Sequence, residues 1–361
     1  MNKDNRILEP EKPRIQELDL LKALAIIAMI ICHCVEVLGE HRIGFENEFL
    51  YFFGFSVLGD YVAVAHAFMF AMGVAIIWIG KDNPRHLIKR GVRLYIMAFI
   101  LNFFRYGIYA IVDGLIEGQF HEDTVYALVV QDIFHFAGLA LILTGLLKYL
   151  KLKDNTILVI AVIMSAIGGP LAFVFDKSPV LNYILGHLLV TTEEESCFAL
   201  LNWYVFVASG LVFARFLERA ENRNSFYRHL LCVAGPIAAV YIVLNCIFGN
   251  HFLSKYCWYY ATSIPESLGL LSIDLSLMAA FHFLLKKSDA KRFVVFCGMG
   301  RNLTKIYIIH WCILGFVDSI FCYLLEIVFP YWFIFLFGIL LVVVSGWIAG
   351  KWGRRFAEWL R

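Results

Sequence analysis

Uninterrupted apolar runs recur from one end of this 361-residue chain to the other. Many reach about 18 residues or more, the length a helix needs to cross the hydrocarbon of a bilayer. Lipid offers no partner to a backbone N–H or C=O, so a spanning segment is either a helix or part of a closed β-barrel. Barrel strands alternate apolar with polar residues, and these runs do not, so helices are predicted. Composition agrees, at 61% hydrophobic and 17% charged residues, and no polar stretch is long enough for a second, soluble domain. An all-α polytopic membrane protein is expected. Its predicted spans, about ten, lie near 19–38, 58–79, 89–112, 124–148, 156–175, 197–217, 229–248, 266–285, 294–317 and 330–350. The expected organisation is an N-terminal cytoplasmic segment 1–18, one membrane domain over 19–350 and a basic cytoplasmic tail over 351–361.

Charge orients these spans. Segments 1–18, 80–90, 148–155, 215–228, 286–292 and 351–361 carry 23 of the 31 lysines and arginines. All six fall on one side if ten helices alternate, whereas the opposite connections hold only Arg42, Lys177 and Lys255. Cytoplasmic loops concentrate positive charge, so both termini are expected in the cytoplasm. The outer connections are acidic, with Glu40, Glu46, Glu48, Glu117, Glu122, Asp123 and Glu193–Glu195. The aromatic stretch 48–57 reads as a re-entrant or interfacial helix, and 179–190 has a similar character. The first apolar run is too long for a cleaved signal peptide and lacks a small-residue cleavage site, so it is expected to remain as the first span. The nine cysteines form no C-x-x-C pair and read as small buried apolar side chains, with neither a disulfide framework nor a metal site expected. Gly346-x-x-x-Gly350 permits close helix packing and a homodimer. No internal repeat and no clearly broken helix is visible, which argues against a transporter built from duplicated halves.

Ionisable residues at membrane depth are costly and mark functional candidates. The first span carries Lys22 near its start, and His33 and Glu36 near its end. Residues three apart share a helix face, so His33 and Glu36 can address one place; Lys22 lies on that face roughly 16 Å away. The plainer reading is a signal anchor with polar residues at both interfaces. Arg90 and Arg93 open the third span one turn apart, a fork suited to phosphate oxygens, although snorkelling to the interface explains them equally well. Arg301 and Lys305 repeat that spacing at the start of the ninth, and the four cations together offer a basic inner mouth. Asp132 and His135, three apart, are candidates to orient each other or to close a helix contact. Arg105, Asp274 and His282 also lie at membrane depth, while His66 and His310 read as satisfied core histidines.

These residues carry a resemblance. Leu18-Asp19 followed by Lys22-x10-His33 resembles the first-helix motif of the acyltransferase-3 membrane enzymes, and Arg90-x-x-Arg93 resembles their third-helix motif. The segment from Asp60 to Gly73 is similar to the related heparan-α-glucosaminide N-acetyltransferase group. So are Val130–Gly138 and Asn302–His310. Lys22 stands where the family usually has Arg, Ala23 where it has Gly, and His66 where the related group has Pro.

The resemblance implies an enzyme that takes an acyl group, usually acetyl, from cytoplasmic acetyl-CoA or another acyl-CoA. It passes the group to a hydroxyl or amine of a carbohydrate or cell-envelope molecule on the far side. His33 is then the expected base, with Glu36 or Asp132 orienting it. Lys22, Arg90, Arg93, Arg301 and Lys305 are expected to serve the CoA co-substrate, and neither a metal nor a nucleic-acid partner is expected. The same resemblance implies the cytoplasmic (inner) membrane of a bacterium. A transporter or flippase with a His/acidic proton relay, or a scaffold without catalysis, are the alternatives.

Overall fold

The computed structural model describes residues 12–39, 49–61, 65–80, 82–119, 128–172, 185–191 and 197–352. Every regular element among them is helical. In chain order the main helices are α1 (Gln16–Gly39), α2 (Ala65–Trp78), α3 (Pro84–Asn102), α4 (Ile133–Tyr149) and α5 (Asp154–Leu171). They continue with α6 (Leu200–Arg219), α7 (Arg223–Phe248), α8 (Ile264–Lys287), α9 (Leu303–Val317) and α10 (Tyr331–Lys351). Among the described residues eight helices are long and apolar enough to cross a membrane, and α2 and α4 are shorter apolar helices. The protein is an all-α polytopic membrane protein.

Local chemistry sets the helix starts. Asn83 caps α3 by accepting from Arg85 N (3.0 Å), and Pro84 occupies the first helical position, where no N–H is needed. Ser263 caps α8 through Glu266 N (3.3 Å), again with proline in the first turn. The aromatic stretch before α2 is helical over Phe49–Phe52 and π-helical over Phe53–Tyr61. Residues 62–64 of the second expected span and 124–127 of the fourth lie outside the described residues, as do 179–184 of the segment 179–190, the acidic segments 40–48 and 193–195, and most of both terminal segments.

Two expectations are corrected. Helices near the centre are interrupted. A π-helical turn, Phe103–Gly107, joins α3 to a further helix, Ile108–Glu117, and α9 ends in a π-helical stretch, Asp318–Leu324. The ninth span is broken at Asn302, which separates a short helix, Val294–Arg301, from α9. Asp132 is not inside the fourth span but caps α4, because its carboxylate accepts the backbone N–H of Ile133 (2.6 Å).

Burial ranks the helices. In the apolar windows of α1 and α6, 67% and 72% of residues are buried, against 22% for α5 and α7, so α1 and α6 lie at the centre and α5 and α7 at the periphery. α1 touches α2, α8, α9, α10 and the short helix before α9; α3 packs along α4, α2 along α6, and α7 along α8. With lipid no less apolar than leucine, such packing depends on close backbone approach and on polar contacts. Gly73 and Gly210 supply the former between α2 and α6. A Cβ on Gly210 would sit 2.2 Å from the Phe70 carbonyl oxygen, and one on Gly73 2.0 Å from that of Val207. Gly210→Leu is therefore expected to cost about 3 kcal/mol, read as a lower Tm of the purified protein in detergent. An unchanged Tm would show that α2 and α6 can part freely.

Polar contacts supply the rest. His66 Nδ1 meets Asp274 Oδ2 at 2.9 Å between α2 and α8, both side chains fully buried. Glu17 accepts from His282 (2.7 Å), and Asn202 and Trp203 donate to the carbonyls of Thr262 (3.0 Å) and Tyr260 (2.9 Å).

Candidate active site

Four chain segments converge on one polar cluster. α9 presents Tyr307, His310 and Trp311, whose spacings of three and four residues put them on one face. α1 contributes His33, the π-helical turn after α3 contributes Arg105, and the cap of α4 contributes Asp132.

His33 Nδ1 lies 3.1 Å from His310 Nε2, the two rings are nearly parallel, and His33 also leans on the indole of Trp311 with ring centroids 4.3 Å apart. The partners settle the tautomers. His310 Nδ1 is 3.2 Å from the Ile306 carbonyl oxygen, which can only accept, so that nitrogen carries the proton. In the neutral ring His310 Nε2 is then a bare acceptor, and His33 donates to it from Nδ1. This leaves Nε2 of His33 as the nitrogen with a free lone pair, and it makes no hydrogen bond among the described residues. His33 is half-buried, whereas His310 is sealed.

Asp132 is an acceptor filled by its neighbours. Tyr307 Oη donates to it at 2.6 Å, Arg105 Nη1 at 2.9 Å and Ile133 N at 2.6 Å. His135 completes the cap by accepting from Asp132 N (3.2 Å), and its ring sits edge-on to Phe99 and His187. The guanidinium of Arg105 lies 3.2 Å from the centre of the Trp311 ring and 4.5 Å from that of Tyr106. Glu36 is half-buried one turn beyond His33, and its charge acts on Arg105 and Tyr106.

The candidates named from sequence are only partly brought together. His33 and Asp132 join the cluster and Glu36 lies beside it, but the His33 ring donates its hydrogen bond to His310 rather than to either carboxylate. His310, read from the sequence as a core histidine, is thus part of the site. Lys22 pairs with Asp19 at 2.7 Å, one turn back on α1. Arg90 is half-buried with its Nε lacking a hydrogen-bond partner, and Arg93 and Arg301 are exposed. Lys305 is engaged elsewhere, donating to the carbonyls of Ala349 (3.4 Å) and Trp352 (3.1 Å) at the end of α10. From sequence Arg105 stands out only as an ionisable residue at membrane depth, and Tyr307 and Trp311 have no role. The Tyr307/His310/Trp311 spacing was the available signal for the latter two.

A half-buried imidazole with a fixed tautomer, a half-buried guanidinium and a tyrosine bonded to a carboxylate thus meet inside a helical membrane protein. A family model described as an acyltransferase domain, of the acyltransferase-3 type, matches residues 15–351, and the chain belongs to that family. It is a multi-pass membrane acyltransferase. No curated protein and no solved structure matches the chain.

Proposed function

We propose that this acyltransferase uses acyl-CoA, with acetyl-CoA as the first choice, and passes the acyl group to a hydroxyl or amine of a carbohydrate or envelope molecule on the outer side of a bacterial cytoplasmic membrane. The observation that carries the reading is the Ile306–His310–His33 chain, which leaves Nε2 of His33 unprotonated and only half-buried. A general base needs that state near working pH. His33 Nε2 takes the proton of the acceptor as its oxygen or nitrogen bonds the thioester carbonyl carbon. The C–S bond breaks, and the CoA thiolate leaves and receives the proton. His310 acts as a positioning residue, since losing its acceptor nitrogen frees the His33 ring to rotate or change tautomer. The scheme takes ten helices with both termini inside and one membrane domain over 19–350, an arrangement that would put the inner cations on the donor side. The exposed Arg301, and Arg90, whose Nε lacks a hydrogen-bond partner, support a phosphate-binding role better than Lys305, which is held by α10.

The test is a thermal-shift titration of purified protein with acetyl-CoA, CoA and ATP. Acetyl-CoA and CoA, but not ATP, are expected to raise the Tm, by an amount set by ligand concentration over Kd. Arg90→Ala/Arg93→Ala is expected to weaken that shift at least about tenfold in apparent Kd, as two charge-assisted contacts to phosphate are lost. A folded wild-type protein that ignores both CoA compounds would remove the donor reading. Uptake of substrate into proteoliposomes without any acyl donor would then favour transport, to which the interrupted α3 and ninth span lend some support.

A further inference from the structure

We propose that Arg105 binds the carbonyl oxygen of the acyl donor and is a second catalytic residue beside His33; this rests on the acyl-CoA reading above. Four independent features hold Arg105 in place. It lies in the π-helical turn after α3, and single π-turns inside helices recur at functional sites. Asn102, just before that turn, donates to the carbonyls of Leu128 (3.3 Å) and Val130 (2.7 Å), which ties the approach to α4, and hence Asp132, to α3. On the α9 side Gly315 leaves no room for a side chain, since a Cβ there would be 2.6 Å from the Arg105 carbonyl oxygen. Finally, Asp132 and the face of Trp311 fix the guanidinium itself.

The guanidinium is not used up by this arrangement. One nitrogen serves Asp132, while Nε is buried with no hydrogen-bond partner. The location gives that donor a use. Trp311 touches both Arg105 (3.2 Å to the ring centre) and His33 (4.3 Å between centroids), so the cation and the base flank one indole. During transfer the acceptor atom bonds the carbonyl carbon and the C=O π pair moves onto oxygen. A cation held in advance beside that oxygen stabilises the charge until the C–S bond breaks. Asp132 and Tyr307 are then positioning residues for Arg105.

The experiment compares acetyl-CoA with S-ethyl-CoA, a thioether with the same nucleotide and arm but no carbonyl oxygen, as ligands of the purified full-length protein in a thermal-shift titration. Wild type is expected to prefer acetyl-CoA by about tenfold, the size of one charge-assisted hydrogen bond. Arg105→Gln is expected to bind both alike, at the wild-type affinity for S-ethyl-CoA, and Arg105→Lys to keep part of the preference. A preference that survives in Arg105→Gln overturns the proposal. So does loss of both ligands in both variants, which would make Arg105 a structural ion-pair residue. Equal binding of the two compounds to wild type overturns the role of Arg105 while leaving the donor reading intact. Failure of wild type to bind either one sinks the donor reading and the proposal with it.

Discussion

Replacing His33 with alanine is expected to lower acyl transfer by about 10²–10⁴-fold, the usual contribution of a general base, while acetyl-CoA still raises the Tm. The expectation follows from the hydrogen-bond chain. Of the paired rings, His33 alone combines a nitrogen lone pair left unused with partial exposure, since His310 spends both nitrogens on Ile306 and His33. His33→Asn is the sharper variant, because its amide can still donate toward His310 yet cannot take a proton. Transfer retained by His33→Asn would remove His33 as the base. His310→Ala leaves Nε2 of His33 in place but frees its tautomer, so a smaller loss of kcat with little change in KM is expected. A loss equal to that of His33→Ala would show that the two rings act as one unit.

The second large effect concerns stability. His66 and Asp274 form a fully buried pair between α2 and α8, and each has one further polar atom, His66 Nε2 and Asp274 Oδ1, without a partner. Removing the imidazole leaves the Asp274 carboxyl group in the protein interior without its partner. His66→Ala is therefore expected to cost about 3–5 kcal/mol, as measured when one partner of a buried ion pair is deleted. The double variant His66→Leu/Asp274→Leu is expected to recover most of that loss, since apolar replacement of both partners removes the desolvation penalty along with the bond. Tm values of the two singles and the double in one detergent measure this coupling. A double variant no more stable than the singles would show that packing, rather than the pair, sets the cost.

Particular residues show what could be read early. Lys22-x10-His33 and Arg90-x-x-Arg93 lie within single helices, where 3.6-residue periodicity alone decides which side chains share a face. His33 was accordingly named as the base candidate from its own span. Its ring partner was not, because His310 lies 277 residues away and nothing local distinguishes a histidine that meets another helix from one that merely fills a core. The three-residue spacing points to Glu36 as the orienter of His33, with Asp132 as the alternative that the resemblance implies. In the folded chain Asp132 is instead occupied by Tyr307, Arg105 and its own helix cap. The π-helical turn that carries Arg105 escaped notice for a related reason. Phe103–Gly107 has the composition of ordinary apolar helix, and its extra residue is accommodated by contacts to Gly315 and Leu128 that only the assembled bundle provides.

Sequence by itself determined the class of fold and where most of its helices run, because bilayer thickness and unmet backbone hydrogen bonds impose an apolar length that eight of the described helices satisfy on their own. It determined the family through short motifs whose spacing survives within one helix. Tertiary structure alone decided which polar groups meet, since a hydrogen bond such as His33–His310 or Arg105–Asp132 depends on how four chain segments pack, and small residues such as Gly315 set that approach to within a few tenths of an ångström.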